Sequence, residues 1–178
     1  MALWAVRAAQ AQDVPSGVLQ FLRRHEEEEA QHLKQFEMLL GMNSHGKTAL
    51  PRMPSQWRVL AVHLYGYETV GLEFARLLVG LRPDLSSILK DEEVHVGFFE
   101  HEVRTILIQG GPVADGARQA AQAWRRRLPP TVNRYLHDES FAPYRDELQG
   151  HILGVIDERF FAVGLSARHE GQSEKSEG

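Results

Sequence analysis

Residues 25–32 read HEEEEAQH, a run of four glutamates between two histidines. A second acidic run, KDEEVH, occupies residues 90–95. Each run contains a glutamate that is followed three positions later by a histidine, and these pairs are Glu29–His32 and Glu92–His95. A run of like charges is normally a solvated helix face, and that interpretation does not explain why the Glu-x-x-His spacing is repeated.

Both pairs lie in stretches whose apolar residues recur with helical spacing. At about 100° per residue, a set of apolar residues falls within about 40° of Glu29: Val18, Leu22, Leu33, Phe36 and Leu40. A similar set of apolar residues surrounds Glu92 on its helix: Leu85, Ile88, Val96, Phe99, Val103 and Ile106. Each histidine lies about 60° from its glutamate, on the shoulder of the apolar stripe. The spacing therefore predicts an inward Glu and His on each helix, whereas Glu27, Glu28 and Glu93 are expected nearer the solvent.

The predicted helix between the two runs carries a further carboxylate on its apolar face. Glu68 is surrounded by Ala61, Leu64, Leu72, Ala75 and Val79. By the same spacing, Glu73 is expected on the polar side of this helix, near Arg76.

Carboxylates in apolar stripes need partners, because an unpaired buried charge is too costly to keep. A salt bridge and a metal ion are the two common solutions. The nearby cations Arg23, Arg24 and Lys90 lie toward the polar sides of their helices. Iron and manganese accept oxygen and imidazole ligands of this kind, so a metal site is favoured.

EAQH and EEVH, with Glu68 on the helix between them, resemble the ferritin-like di-iron carboxylate superfamily over residues 1–110. Its four-helix bundles bind two metals through Glu-x-x-His motifs on two helices and a Glu on each of the others. The resemblance implies an all-α fold, a ferritin-like four-helix bundle with extra C-terminal helices. It implies two iron ions, or manganese, bridged by Glu29 and Glu92. His32 and His95 would each bind one ion, and Glu68 would be a terminal ligand.

The sequence departs from the superfamily pattern at one ligand. The pattern includes a Glu on the helix before the first motif, but the first predicted helix here, ALWAVRAAQAQ, contains no acid. Because the first two helices turn near Val14–Pro15, the antiparallel neighbour of Glu29 would fall at about residue zero or earlier. Either the sequence lacks an N-terminal segment, which is the favoured interpretation, or one ligand has been lost and one metal site weakened.

The symmetric pair of motifs resembles oxygen- and peroxide-handling members rather than iron-storage ferritins. Rubrerythrins share the bundle but typically add a cysteine-ligated iron domain, and this chain contains no cysteine. EAQHLKQF is similar to the second-helix motif of the demethoxyubiquinone hydroxylases, and tRNA-modifying di-iron hydroxylases share the architecture. The resemblance implies an O2-activating di-iron oxidoreductase, a hydroxylase, with a small-molecule substrate and an external reductase. The alternatives are a peroxide- or iron-handling protein, such as a rubrerythrin or a manganese catalase-like protein, and a degenerate, non-catalytic bundle.

Composition excludes several other classes of function. The absence of cysteine excludes disulfides, zinc–thiolate sites and thiol catalysis. A formal charge of −4 gives no reason to expect nucleic acid or an anionic membrane as a partner. The basic stretch WRRRLPP closes a predicted helix, where cations are favoured in any case. No apolar run is long enough for a membrane span or a signal peptide, which predicts a cytoplasmic protein.

Proline and glycine positions predict one helical domain over residues 1–166. Its bundle core covers residues 1–110, with helices near 2–12, 17–42, 55–82 and from 84 to the QGGP segment. C-terminal helices occupy 113–166, near 114–128 and 143–165, and the polar tail 167–178 is predicted to be disordered. The first helix is too short to cover its partners. We therefore expect either a homodimer or coverage by the segment after Gly110, including Trp124.

Residues outside the ligand set are candidates to orient it. Metal-bound histidines usually need such partners. Tyr65, one turn from Glu68, and Glu102, on the histidine side of the fourth helix, are the two candidates. An ordinary core tyrosine is the alternative for Tyr65. His25 and Glu26 are expected to flank the apolar stripe of the second helix.

Overall fold

The structure, a computed structural model, describes residues 2–41 and 52–167. These residues form α1 (Ala2–Ala9), α2 (Ser16–Leu40), α3 (Trp57–Leu81), α4 (Ser86–Ile108), α5 (Gly111–Arg126), α6 (Leu128–Tyr135) and α7 (Arg145–Val163). Short 3-10 helices at Pro83–Leu85 and Glu139–Tyr144 precede α4 and α7. The all-α prediction is confirmed, and no strand occurs in the described residues.

Glycine ends two of the helices. Gly41 follows α2 with φ 61°, and its N–H donates to the carbonyl of Glu37. Gly164 follows α7 with φ 91°. Both are left-handed conformations that cost glycine little, because it has no β-carbon.

Helix α6 is the element that the sequence pattern does not reveal. Pro129–Pro130 are predicted to close the preceding helix, and α5 does end at Arg126. A new helix then begins at Leu128, with proline in its first turn. Proline is tolerated there because first-turn N–H groups have no partner within the helix. The same residue type therefore marks both the end of one helix and the start of the next.

Helix α3 lies at the centre of the packing. It packs against α1, α4, α5 and α7, while α2 lies against α1 and α4. The apolar residues predicted around Glu92 are all buried, as are those around Glu68 except the half-buried Val79. On α2, Val18 and Leu22 are buried but Leu33 and Phe36 are only half-buried. The predicted stripes on α3 and α4 therefore form the core, and α2 contributes mainly through its first half.

The segment after Gly110 covers much of α3 through its helices α5 and α7. The sequence analysis gave this coverage as one of two expectations, the other being a homodimer. Trp124 of α5 is 6% exposed. A β-carbon at Gly66 would lie 2.5 Å from the Trp124 ring, so only glycine allows this approach of α5 to α3. Trp124 also contacts Phe160 of α7, with ring centroids 5.6 Å apart. Homodimerisation stays a prediction.

The predicted connection around residues 42–51 and the predicted tail from residue 168 onward lie outside the described residues. Among the helices described, none combines the length and the apolar character that crossing a bilayer would require.

Candidate metal centre

The five predicted ligands meet in one place, between α2, α3 and α4. Together with His25 they form two overlapping groups, His25–Glu29–Glu68–His95 and Glu29–His32–Glu92. In each group the potential ligand atoms lie within 4.8 Å of one another. Every member is buried, and Glu29 belongs to both groups. Each group contains carboxylate and imidazole ligands, which suit divalent first-row metals.

His25 is the ligand candidate that the sequence analysis missed. It was expected at the edge of the α2 stripe, and this expectation is wrong, since its side chain is 0% exposed. Its Nε2 atom lies 3.3 Å from Glu68 Oε2 and 3.8 Å from Glu29 Oε1. His25 precedes Glu29 by four residues, so the two side chains project from the same face of α2. The first group therefore has four potential ligands without any residue from α1.

Two partly exposed carboxylates hold the outer nitrogens of His32 and His95. His32 Nε2 lies 3.0 Å from Asp91 Oδ2, and His95 Nε2 lies 2.8 Å from Glu28 Oε2. Because a carboxylate only accepts, each Nε2 carries the hydrogen and donates it, so in the neutral ring the lone pair is on Nδ1. Nδ1 of His32 lies 3.7 Å from Glu92 Oε1, and Nδ1 of His95 lies 3.8 Å from Glu68 Oε2. Both lone pairs thus point into the cluster, the orientation that a metal ligand needs.

Glu28 does not have the solvent-directed position that the helical spacing predicts. Its side chain is 30% exposed and reaches His95 on α4. The contact forms because α4 packs against α2, and the spacing along α2 alone contains no information about this neighbour.

Unpartnered polar atoms are concentrated in the cluster. Of eleven buried side-chain nitrogen and oxygen atoms without a hydrogen bond in the described residues, eight belong to it. They are His25 Nδ1 and Nε2, Glu29 Oε1, His32 Nδ1, Glu68 Oε1 and Oε2, Glu92 Oε2 and His95 Nδ1. Each buried unsatisfied group costs about 1–3 kcal/mol. A set of this size in one place fits cation binding better than it fits ordinary core packing.

Without a cation, the cluster balances its charge with protons. Burial, together with the nearby Glu68 and Glu29 carboxylates, raises the pKa of Glu92 to about 9. Burial opposes the charged form of His25, but Glu68 and Glu29 outweigh it and raise the pKa of His25 to about 10. Burial also opposes ionisation of Glu29, yet His25 and His32 hold the pKa of Glu29 below its ordinary value. Metal ions would replace these protons as the balancing charge.

Tyr65 and Glu102 lie away from the cluster contacts. Tyr65 is fully buried, and its ring stacks on Phe160 of α7 with centroids 5.6 Å apart. Burial and the nearby Glu100 raise the pKa of Tyr65 to about 12. Glu102 is half-buried. Within residues 2–41 and 52–167, neither side chain makes a hydrogen bond or ion pair with a cluster residue.

Comparison with known proteins adds no identity to these observations. No family model, curated protein or solved structure matches the chain. The fold and the site define an all-helical protein with buried His/Glu groups that could hold a metal ion.

Proposed function

We propose that this chain is a ferritin-like di-metal oxidoreductase that activates O2, with two iron ions, or manganese, held by the buried cluster. The observation that carries the proposal is the convergence of three carboxylates and three histidines with unpartnered atoms. Two groups that share Glu29 fit two ions that share one bridging carboxylate.

The arrangement of the helices supports a ferritin-like bundle. Helices α1 and α2 form one neighbouring pair and α3 and α4 another, and the pairs meet through α1 against α3 and α2 against α4. In such an arrangement α2 and α3 lie on a diagonal, so their inward side chains meet near the bundle axis. The contact between His25 of α2 and Glu68 of α3 supports this placement. Helix α1 supplies no ligand, and His25 offers a further one from α2.

The protein residues would bind, orient and shield the metals. Iron held here would supply two electrons for O2 reduction, and the substrate C–H bond would supply the other two. In such a hydroxylation one oxygen atom enters the substrate and the other, with two protons, becomes water. An external reductase would return the two electrons to the iron. Glu28 and Asp91 would fix the imidazole rings of His95 and His32. Buried Leu22 and Phe99 contribute to the apolar surround that keeps water out.

Metal content per chain tests the proposal directly. We expect about two iron or manganese ions per chain in wild type, and a loss of most of this metal in Glu29→Gln, because Glu29 belongs to both groups. Glu27→Gln is the matched control, since Glu27 lies in the same acidic run but is exposed. Elemental analysis of protein purified without chelator gives the ratio. Wild-type protein without metal, or equal metal in Glu29→Gln and wild type, would contradict the proposal.

Oxygen chemistry is tested separately from metal content. We expect the chemically reduced, iron-loaded protein to consume O2, and Glu29→Gln to consume it at the rate of buffer alone. An oxygen electrode measures both rates. Rapid disproportionation of hydrogen peroxide without any reductant, together with no O2 consumption, would favour the peroxide-handling alternative instead.

A further inference from the structure

A cavity of about 740 Å³ lies directly beside the buried His/Glu cluster. It lies between α3 and the segment from Trp124 to Phe141, and Glu29 and Glu92 form part of its wall. Small-molecule sites in proteins typically measure about 300–1,000 Å³. The cavity thus has the size of a small-molecule site and reaches the proposed metal ligands.

Gly71 opens the cavity toward Glu92. A β-carbon at this position would lie 2.9 Å from Glu92 Oε2, a distance that real β-carbons essentially never show. Any larger residue would therefore displace the Glu92 carboxylate or separate it from the cavity. With glycine here, a ligand in the cavity can approach the cluster closely.

The remaining wall is predominantly apolar and aromatic. Aromatic side chains from several helices line it. They are Phe36 of α2, Tyr67 and Phe74 of α3, Trp124 of α5, Tyr135 of α6 and Phe141 of the 3-10 helix before α7. Tyr67 meets Trp124 edge-on with ring centroids 5.9 Å apart, and Phe74 meets Tyr135 in the same way at 5.6 Å. Walls of this kind favour an apolar ligand body, particularly a flat ring.

A cation lies in the cavity wall at a distance from the cluster. Arg127 contributes to the wall, and no ion pair of its guanidinium occurs in the described part of the chain. Its neighbour Arg125 is paired with Asp157 instead. His63 also lines the cavity, and burial together with Arg127 lowers the pKa of His63. His63 precedes Gly71 by eight residues on α3, which corresponds to roughly 12 Å along the helix.

We propose that this cavity binds a small molecule with an apolar, ring-bearing body and one anionic group. The anionic group pairs with Arg127 near His63, and the apolar end lies toward Gly71 and Glu92, roughly 12 Å further along α3. Arg127 offers a planar set of donors that suits carboxylate and sulfonate groups. Oxidation of such a ligand rests on the proposed function, whereas its binding does not.

A matched pair of fluorescent probes tests this assignment on the full chain as purified. 8-Anilino-1-naphthalenesulfonate and N-phenyl-1-naphthylamine share one aromatic body, and only the first carries an anionic group. We expect one sulfonate probe to bind per chain and Arg127→Gln to weaken its binding about tenfold, with little change for the uncharged probe. Arg126→Gln is the control, because Arg126 is also exposed but does not line the cavity. Equal effects of the two arginine variants, or equal weakening of both probes, would overturn the proposal.

A second variant locates the bound probe. Thr131 lines the cavity and is half-buried, so Thr131→Phe should fill part of the space and weaken both probes. Unchanged binding of both probes by this variant, with a wild-type circular dichroism spectrum, would place them elsewhere and overturn the proposal. If Thr131→Phe does not fold, the arginine pair alone decides.

The metal content of the same samples separates this inference from the proposed function. Arg127-dependent binding in a sample without metal supports the ligand site and contradicts the di-metal function. If the protein contains metal but does not bind the sulfonate probe, the proposed di-metal function stands and the proposed ligand site is overturned.

Discussion

Two buried glutamates on α3, five residues apart, have opposite kinds of surroundings. Glu73 is 2% exposed, and its Oε1 lies 2.8 Å from Arg76 Nη1 and 3.9 Å from Arg159 Nη2. Glu68 is 0% exposed and faces the histidines His25 and His95, and both of its oxygens lack a hydrogen bond. Burial alone therefore does not identify a metal ligand. Permanent guanidinium charges balance Glu73, whereas the ion-pair partners of Glu68 in the described residues are imidazoles, whose charge depends on a bound proton.

The largest expected difference between the two glutamates is in bound metal. Glu68→Gln should lose at least about half of the metal found in wild type, because Glu68 is the only α3 carboxylate of the cluster among the described residues. Glu73→Gln should retain the wild-type amount, since its partners are arginines. Elemental analysis of both variants measures the contrast. Equal metal loss in the two would show that the buried charges of α3 act through stability and not through ligation.

In protein freed of metal by a chelator, substitutions of Glu73 and Glu92 should have different effects on the free energy of unfolding. Glu73→Gln should lower the free energy of unfolding by about 1–3 kcal/mol, because it leaves the Arg76 and Arg159 guanidinium groups without their carboxylate partner. At pH 7 Glu92 is protonated in the metal-free protein, given its pKa of about 9, so Gln is close in shape and charge to the native group. Glu92→Gln should therefore not lower the free energy of unfolding at pH 7 and should raise it, because glutamine folds without the proton uptake that Glu92 requires. Urea denaturation measures both, and a larger cost for Glu92→Gln than for Glu73→Gln would reverse the expected order.

The pH dependence of the metal-free protein should reveal the proton on Glu92. The pKa of Glu92 rises from an ordinary value of 4.5 to about 9 on folding, so the folded state holds this proton more tightly than the unfolded chain does. Its contribution to stability is complete below pH 4.5 and is lost as the pH rises toward 9. Between pH 5 and pH 8, wild type should therefore lose about 1 kcal/mol or more relative to Glu92→Gln. Urea denaturation across the pH range measures the differences, and parallel curves for wild type and Glu92→Gln would contradict the protonated state.

The smallest change in stability is expected when Arg76, the exposed partner of Glu73, is replaced. Arg76 has a side chain that is 42% exposed, so water screens much of its attraction to Glu73. Arg76→Gln should cost about 1 kcal/mol or less, because Arg159 also stays near the carboxylate. Thermal or urea unfolding of this variant beside Glu73→Gln measures the difference. An equal cost for the two would mean that Arg76 alone balances the buried charge.

Helical periodicity predicted which side chains of each helix face the protein interior. The inward positions of Glu29, Glu68 and Glu92 follow from their apolar surrounds, and all three are buried. His25 lies four residues before Glu29, within the same arc of about 40°, so the pattern already contained the signal. It was missed because the Glu-x-x-His pattern assigns one histidine to each helix, and on α2 that histidine is His32.

Contacts between helices explain the remaining errors. Glu73 was expected on a polar face, and the expected contact with Arg76 is confirmed, but α7 covers that face and adds Arg159 and His151. Glu28 was expected near solvent, but α4 brings His95 to it. Neither partner has a fixed sequence distance from the residue that it contacts, so helical spacing cannot predict it. A prediction of the contacts between helices would have been required in both cases.

The chain order of the cluster has a consequence for biosynthesis. All six cluster residues lie between positions 25 and 95, ahead of α5, α6 and α7. During translation, every one of these side chains is therefore synthesised before Trp124, Arg127 and Tyr135, which enclose the neighbouring cavity. The proposed metal ligands are thus all present in the nascent chain before the residues that line the far side of the cavity.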